Sequence, residues 1–160
     1  MAGTSGLELS LQLVGEAQIR SYLNGVGLDL RNMRGAMNEV GRNSIKYFSG
    51  TVFVSRGQSI NQRWPRLSAG YAAQKARTFP GRPPLIRTDK MRTSFAYRST
   101  GLSATIYNTD PKFKYHQSTA PRTKIPRRAM LGVSRQLEQD VTRTLGLALA
   151  QKIKARSRRV

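Results

Sequence analysis

Hydrophobic and polar residues alternate at the start of the chain. Leu7, Leu9, Leu11 and Leu13 are separated by Glu8, Ser10 and Gln12, a period of two that puts all four leucines on one face of a half-buried strand. From Glu16 the period lengthens. Ile19, Tyr22, Leu23, Val26, Leu30, Met33, Met37, Val40 and Ser44 step by three and four, lining one face of a helix between residues 16 and 49. Gly25 and Gly27 fall inside it, and glycine destabilises a helix interior by about 1 kcal/mol relative to alanine. The helix is therefore expected to be long or broken.

Between Ser49 and Pro84 no period is sustained, and Gly, Ser, Asn, Gln, Arg and Pro dominate. This reads as an extended loop over residues 50–84 with a short helix at Ala69 to Arg77, anchored by Trp64, Leu67 and Tyr71. Unstructured stretches of more than about 15 residues in a compact domain are usually functional or disordered. Leu85 to Phe95 suits a short helix with Asp89 near its start. Phe95, Tyr97 and Ser99, a turn at Thr100-Gly101, and then Leu102, Ala104, Ile106 and Asn108 form a β-hairpin pattern. Pro121 and Pro126 keep residues 118–130 extended. Ser134 is placed to cap a last helix whose Leu137, Val141, Leu145, Leu149 and Ile153 recur every four residues. Glu138 and Asp140 lie early and Lys152 and Lys154 late, as the helix dipole favours. The fold class is α+β, as one domain over residues 1–155 with a frayed basic tail at 156–160.

Charge changes the picture. In 160 residues, 28 Lys and Arg face 8 acids, a net charge of +20. Residues 1–50 carry five basic and four acidic residues, 51–100 ten and one, and 101–160 thirteen and three. The first third looks like scaffold, and the rest is drawn to polyanions or acidic protein faces. With no cysteine, thiolate metal sites, disulfides and cysteine nucleophiles are excluded. No stretch approaches the roughly 20 apolar residues that span a bilayer, and the N-terminus lacks a signal-peptide pattern. A soluble protein with no membrane partner is expected.

Catalytic chemistry is thinly provided. His116 is the single histidine, the acids are scattered, and Glu138 and Asp140 diverge on their helix. No phosphate-binding glycine loop or dinucleotide fingerprint occurs. Asp89 and Asp110 read as a helix cap and a turn residue. No enzyme, cofactor or metal is expected. The residues expected to meet DNA or an acidic docking face are Arg122, Lys124, Arg127 and Arg128 on the proline-braced arm, with Lys152, Lys154, Arg156, Arg158 and Arg159 at the C-terminal end. Tyr97, Tyr107, Phe113 and Tyr115 interleave with basic residues, but on alternating strands such aromatics are more often core.

Four short blocks occur in order: Trp64-Pro65-Arg66-Leu67-Ser68 with Tyr71 and Lys75; Pro84-Leu85-Ile86-Arg87-Thr88 with Met91, Ser94 and Phe95; Tyr115-His116-Gln117; and Ile125-Pro126-Arg127-Arg128-Ala129-Met130-Leu131-Gly132. Together they cover about residues 48 to 153, and their order and spacing resemble the phage virion morphogenesis family, the tail-completion and head–tail joining proteins of tailed bacteriophages. The leucine-leucine, threonine-glycine pattern of that family stands here as Leu85-Ile86-Arg87-Thr88-Asp89, and Ser118-Thr119-Ala120 replaces a glycine. The resemblance implies a structural virion protein of the neck, assembled in the host cytoplasm. It would complete the tail and join it to the DNA-filled head within an oligomeric ring, six copies favoured over twelve. Its partners would be tail terminator or tail tube proteins, portal or connector proteins, and double-stranded DNA in the channel. The alternative, which rests on charge alone, is a free nucleic-acid-binding module of ribosomal or nucleoid-associated type. No helix-turn-helix, RRM or zinc-finger signature accompanies it. A small nuclease or peptidoglycan hydrolase would require Asp89, Asp110 and His116 to act together.

Overall fold

The computed structural model describes residues 2–4, 8–12, 17, 21, 24, 32–119 and 124–157. Strands β1 (Ala2–Thr4), β2 (Leu9–Gln12), β3 (Phe95–Ser99) and β4 (Ser103–Asn108) make one antiparallel sheet in the order β1-β2-β4-β3. Leu9 stands opposite Ile106 and Leu11 opposite Ala104. All four are buried, so the alternation of the opening strand does set the buried face of the sheet. Leu7 and Leu13 lie outside the described residues. The strand β1 before them lacks an alternating apolar pattern and was not legible. The opposite face of the sheet is polar: Ser10 and Thr105 meet across β2 and β4, and Arg98 pairs with Glu8 and lies over the Tyr107 ring.

Of the helix expected over 16–49, its first half falls mostly outside the described residues; Ala17, Ser21 and Asn24 are helical. Helix α1 runs Arg34–Lys46 and continues as a wider π-helical turn, Tyr47–Val52. Its heptad-like row is buried as the spacing requires, with Met33, Met37, Val40 and Ser44 all inside. One side of α1 packs on β3 and β4 and another on the last helix, α5 (Arg135–Ser157). Met33 and Ala36 face Leu145, Ala148 and Leu149 of that helix. Close approach to the sheet explains Gly41. A Cβ there would lie 2.2 Å from a Tyr97 ring carbon, so the backbone of α1 sits almost against the aromatic face.

The stretch read as an extended loop from residue 50 begins later. Thr51 to Val54 remain helical, a short 3-10 turn follows at Gln58–Ile60, and Phe48, Val52, Phe53, Ile60 and Trp64 are core. Local composition hid this because the apolar residues are spaced irregularly. They are gathered by the π turn and by Gly57, whose φ of 80° closes the bend beneath the Trp64 ring. Helix α2 (Ala69–Thr78) follows where a short helix was expected; of the helix expected over Leu85 to Phe95 only one turn forms, α3 (Lys90–Thr93), because Leu85 and Asp89 adopt positive φ and Phe95 begins β3. A further short helix, α4 (Phe113–Gln117), follows the hairpin. Phe95 is central to an aromatic group, edge-on to Phe53 and Phe113 and stacked near Phe48.

Ser134 caps α5 as expected, its Oγ accepting the Leu137 N–H at 3.1 Å. Tyr47 Oη donates to Ser59 O, so the 2.8 Å contact between Tyr47 and Ser134 has the serine hydroxyl donating to the phenol oxygen. This chain of bonds fixes the start of α5 to the end of α1. The helix runs to Ser157, past the expected onset of fraying at 156; residues 158–160 lie outside the described residues. No helix among the described residues is long and apolar enough to cross a membrane.

Gly41→Ala is expected to destabilise the protein by about 1–3 kcal/mol, because the added methyl forces Tyr97 or the helix to move. Urea unfolding followed by circular dichroism measures it. An unchanged midpoint would show that α1 does not rest on Tyr97.

Candidate functional site

Three of the four short blocks meet in an unusual way. After α4, residues 124–134 belong to no helix or sheet, yet Arg128 to Leu131 are buried. Buried backbone outside a ladder must find partners among side chains. Gln117 supplies most of them. Its Oε1 accepts the N–H groups of Met130 (2.8 Å) and Leu131 (3.0 Å), and its Nε2 donates to Leu131 O (2.8 Å). Trp64 Nε1 donates to Ala129 O at 2.6 Å. Arg128 reaches the other way, with Nε on Pro65 O and Nη2 on Arg66 O, both at 3.0 Å, while its own N–H goes to His116 O. The second block joins through Met91, whose carbonyl takes Asn108 Nδ2 at 2.7 Å, and through Phe95.

Beside this seam lies Lys75. The side chain is 5% exposed and its Nζ donates to Pro83 O at 2.5 Å. It is the one buried residue of α2, all of whose other residues are exposed. Burial pushes the Lys75 ammonium below its ordinary pKa, and the neighbouring Arg128 charge adds to the depression. Burial also lowers Arg128, which the charge of a Tyr71 phenolate partly counters.

The residues expected to form a basic contact surface do not share one place. Arg128 is buried and holds backbone carbonyls, so it braces the arm where an exposed contact was expected. Arg127 is exposed but tied, through Nε to Gln117 O and Nη1 to Gln62 Oε1. Lys124 is exposed. Lys152 donates to Asn32 O at 2.7 Å, and Lys154 is exposed on the same helix. Lys152 therefore sits near the start of α1, about 26 Å along α5 from its first residue at 1.5 Å per residue. Arg122, Arg158 and Arg159 lie outside the described residues, as does the Arg156 side chain. Of the three loop anchors, Trp64 is buried, Leu67 half-buried and Tyr71 exposed. Tyr71 is therefore not part of the buried core.

Asp89 adopts φ 65° and its carboxylate is clasped by Arg92, whose hydrogen bonds hold it below the usual carboxylate range. Asp110 Oδ1 accepts the Lys112 N–H within its turn. Among the described residues no group of three or more His, Asp or Glu stands together. A groove of about 430 Å³ between α1 and α5 holds Glu39 and Asp140, with Arg143 beside them.

Gln117 and Lys75 were quoted in the sequence blocks without a role. Nothing in the local pattern distinguishes a glutamine that organises buried backbone from one in solvent. Gln117→Leu leaves two N–H groups and one carbonyl buried without partners, and is expected to lower stability by about 3 kcal/mol or more; chemical denaturation tests this, and a loss under about 1 kcal/mol would contradict the assignment. For Lys75, the folded pKa lies below the ordinary 10.5. The protonated form therefore opposes folding below the depressed value, and the penalty fades as pH rises toward 10.5. The melting temperature of the wild type relative to Lys75→Met is expected to rise between neutral pH and that value. A pH-independent difference would show that the ammonium is not disfavoured. No protein-family model, curated protein or solved structure matches this chain.

Proposed function

We propose that the protein is a structural subunit of the head–tail junction of a tailed bacteriophage, completing the tail and joining it to the DNA-filled head as part of a ring around the channel. What carries the proposal is that the ordered blocks resembling the phage virion morphogenesis family are joined through side chains in this fold. Trp64 bonds Ala129, Arg128 bonds Pro65 and Arg66, and Gln117 bonds Met130 and Leu131. Residues far apart in sequence then have a common structural reason to occur together, as a family motif requires. The proposal includes six copies in head-to-tail contact, since unlike surfaces in a closed ring satisfy each other. It also includes tail and portal proteins as neighbours, and location in the virion neck after assembly in the host cytoplasm. A subunit of charge +20 repels its copies, and DNA in the lumen or acidic faces of adjoining rings offsets that repulsion.

Phage particles made without this protein are expected to accumulate as separate heads and tails under the electron microscope. Normal joining in its absence removes the proposal. Tight, steeply salt-dependent binding of the isolated chain to duplex DNA or RNA, with no association with particles, would favour the free nucleic-acid-binding module.

A further inference from the structure

One buried hydroxyl faces the space between α1 and α5 with nothing to bond. Ser44 is 1% exposed, and among the described residues its Oγ has no hydrogen-bond partner, although buried hydroxyls are as a rule paired. It lines a narrow cleft of about 20 Å³ between the two helices. Asp140 is the one charged residue on the walls of that cleft, with Asn43 and Thr144 beside it and apolar side chains of both helices making up the rest. Asn43, Asp140 and Thr144 also line the adjoining groove of about 430 Å³, together with Glu39, Arg143 and Leu147. Thr144 Oγ1 is spent on Asp140 O, and the Tyr47 hydroxyl at the cleft is spent on Ser59 and Ser134. Three acceptors are left: Ser44 Oγ, Asn43 Oδ1 and the Asp140 carboxylate. Among the described residues neither Asp140 nor Glu39 is in an ion pair.

Acceptors, one negative charge and apolar walls call for a cationic donor, and the size of the cleft says which. About 20 Å³ takes one group the size of a water molecule. An ammonium fits that space and brings three N–H donors; a guanidinium is a broad planar fork. The adjoining groove then takes the four-carbon stem of a lysine, which packs along apolar surface such as Leu147, 61% exposed there. Arg143 lines the groove and not the cleft, so it does not occupy the seat. Charge complementarity names the source. Duplex DNA and acidic proteins are repelled by Glu39 and Asp140, whereas a second copy of this chain, with 28 Lys and Arg against 8 acids, presents basic groups on almost any approach.

We propose that the cleft between α1 and α5 is a seat for a lysine side chain of a second copy of this chain, its ammonium bonded to Asp140, Ser44 Oγ and Asn43. An acidic cleft on one copy and a lysine on the next are unlike surfaces, the kind of contact that closes a ring; for its occupant the inference rests on the ring of the proposed function. The two fail separately. Heads and tails joined or apart in particles lacking the protein decide the neck proposal, and contact between purified copies decides the seat.

The test uses the full chain in high salt, which screens repulsion between exposed charges more than it screens a buried contact. Sedimentation velocity over a range of concentrations measures self-association of wild type, Asp140→Asn and Ser44→Ala, with melting curves to verify folding. Ser44→Ala breaks no hydrogen bond within the chain and is expected to melt no lower than about 2 °C below wild type. Both variants are expected to weaken self-association by about ten-fold or more, because a buried ammonium loses a bonding partner. Carbodiimide coupling, which condenses a carboxylate with a touching lysine amine to an amide and releases water to the reagent, is run on a mixture of heavy-nitrogen-labelled and unlabelled chain. Mass spectrometry is expected to find Asp140 joined to a lysine across a labelled and an unlabelled chain. A wild type that stays monomeric overturns the proposal, as does Asp140 coupled only within one chain. Self-association unchanged in both variants also overturns it and leaves the cleft to a water molecule.

Discussion

The structure depends on one constraint: the run from Arg128 to Leu131 is buried without belonging to a sheet. Peptide groups withdrawn from water in that way must be hydrogen-bonded. Here two side chains from other segments, Gln117 and Trp64, do the work of a neighbouring strand. Gln117 binds both edges of the Met130–Leu131 unit, Trp64 takes Ala129 O, and Arg128 holds Pro65 and Arg66 in return. The bonds are reciprocal, so neither segment is positioned without the other.

This seam orders much of what surrounds it. Holding Trp64 against Ala129 fixes the bend at Gly57, and the Trp64 ring then packs edge-on to Phe53 at 5.2 Å. Met130 and Leu131 enter the core shared by α1 and the sheet. Immediately downstream, Ser134 starts α5 and ties it to Tyr47, which places the long helix along α1. The same seam brings Arg128 beside Lys75. The burial of Arg128 is thus a consequence of how the backbone is satisfied, while its neighbours Arg127 and Arg66 remain exposed.

Charge in this chain divides into two kinds that a residue count does not separate. Arg128 and Lys75 are desolvated and hold carbonyls; for them, lost solvation governs the protonation equilibrium. Lys124 and Lys154 stand in solvent, where salt screens their attraction to a polyanion. Three of the acids have close partners, Asp89 in Arg92, Asp110 in its own turn and Glu8 in Arg98 of the same sheet. That leaves the net positive field of the chain largely uncompensated.

By itself the sequence determined the regular elements whose period is written in consecutive residues. These are the buried face of the leucine strand, the row from Met33 to Ser44, the hairpin from Phe95 to Asn108, and the last helix with Ser134 as its cap. Such patterns are local, and burial of one face is enough to specify them. Tertiary structure alone decided that the run after Ser49 stays helical and enters the core, that Tyr71 is exposed, and that Arg128 turns inward. It also gave Gln117 and Lys75 their roles. Each of those depends on partners outside its own element, and a side chain that satisfies buried backbone looks the same in sequence as one that faces water.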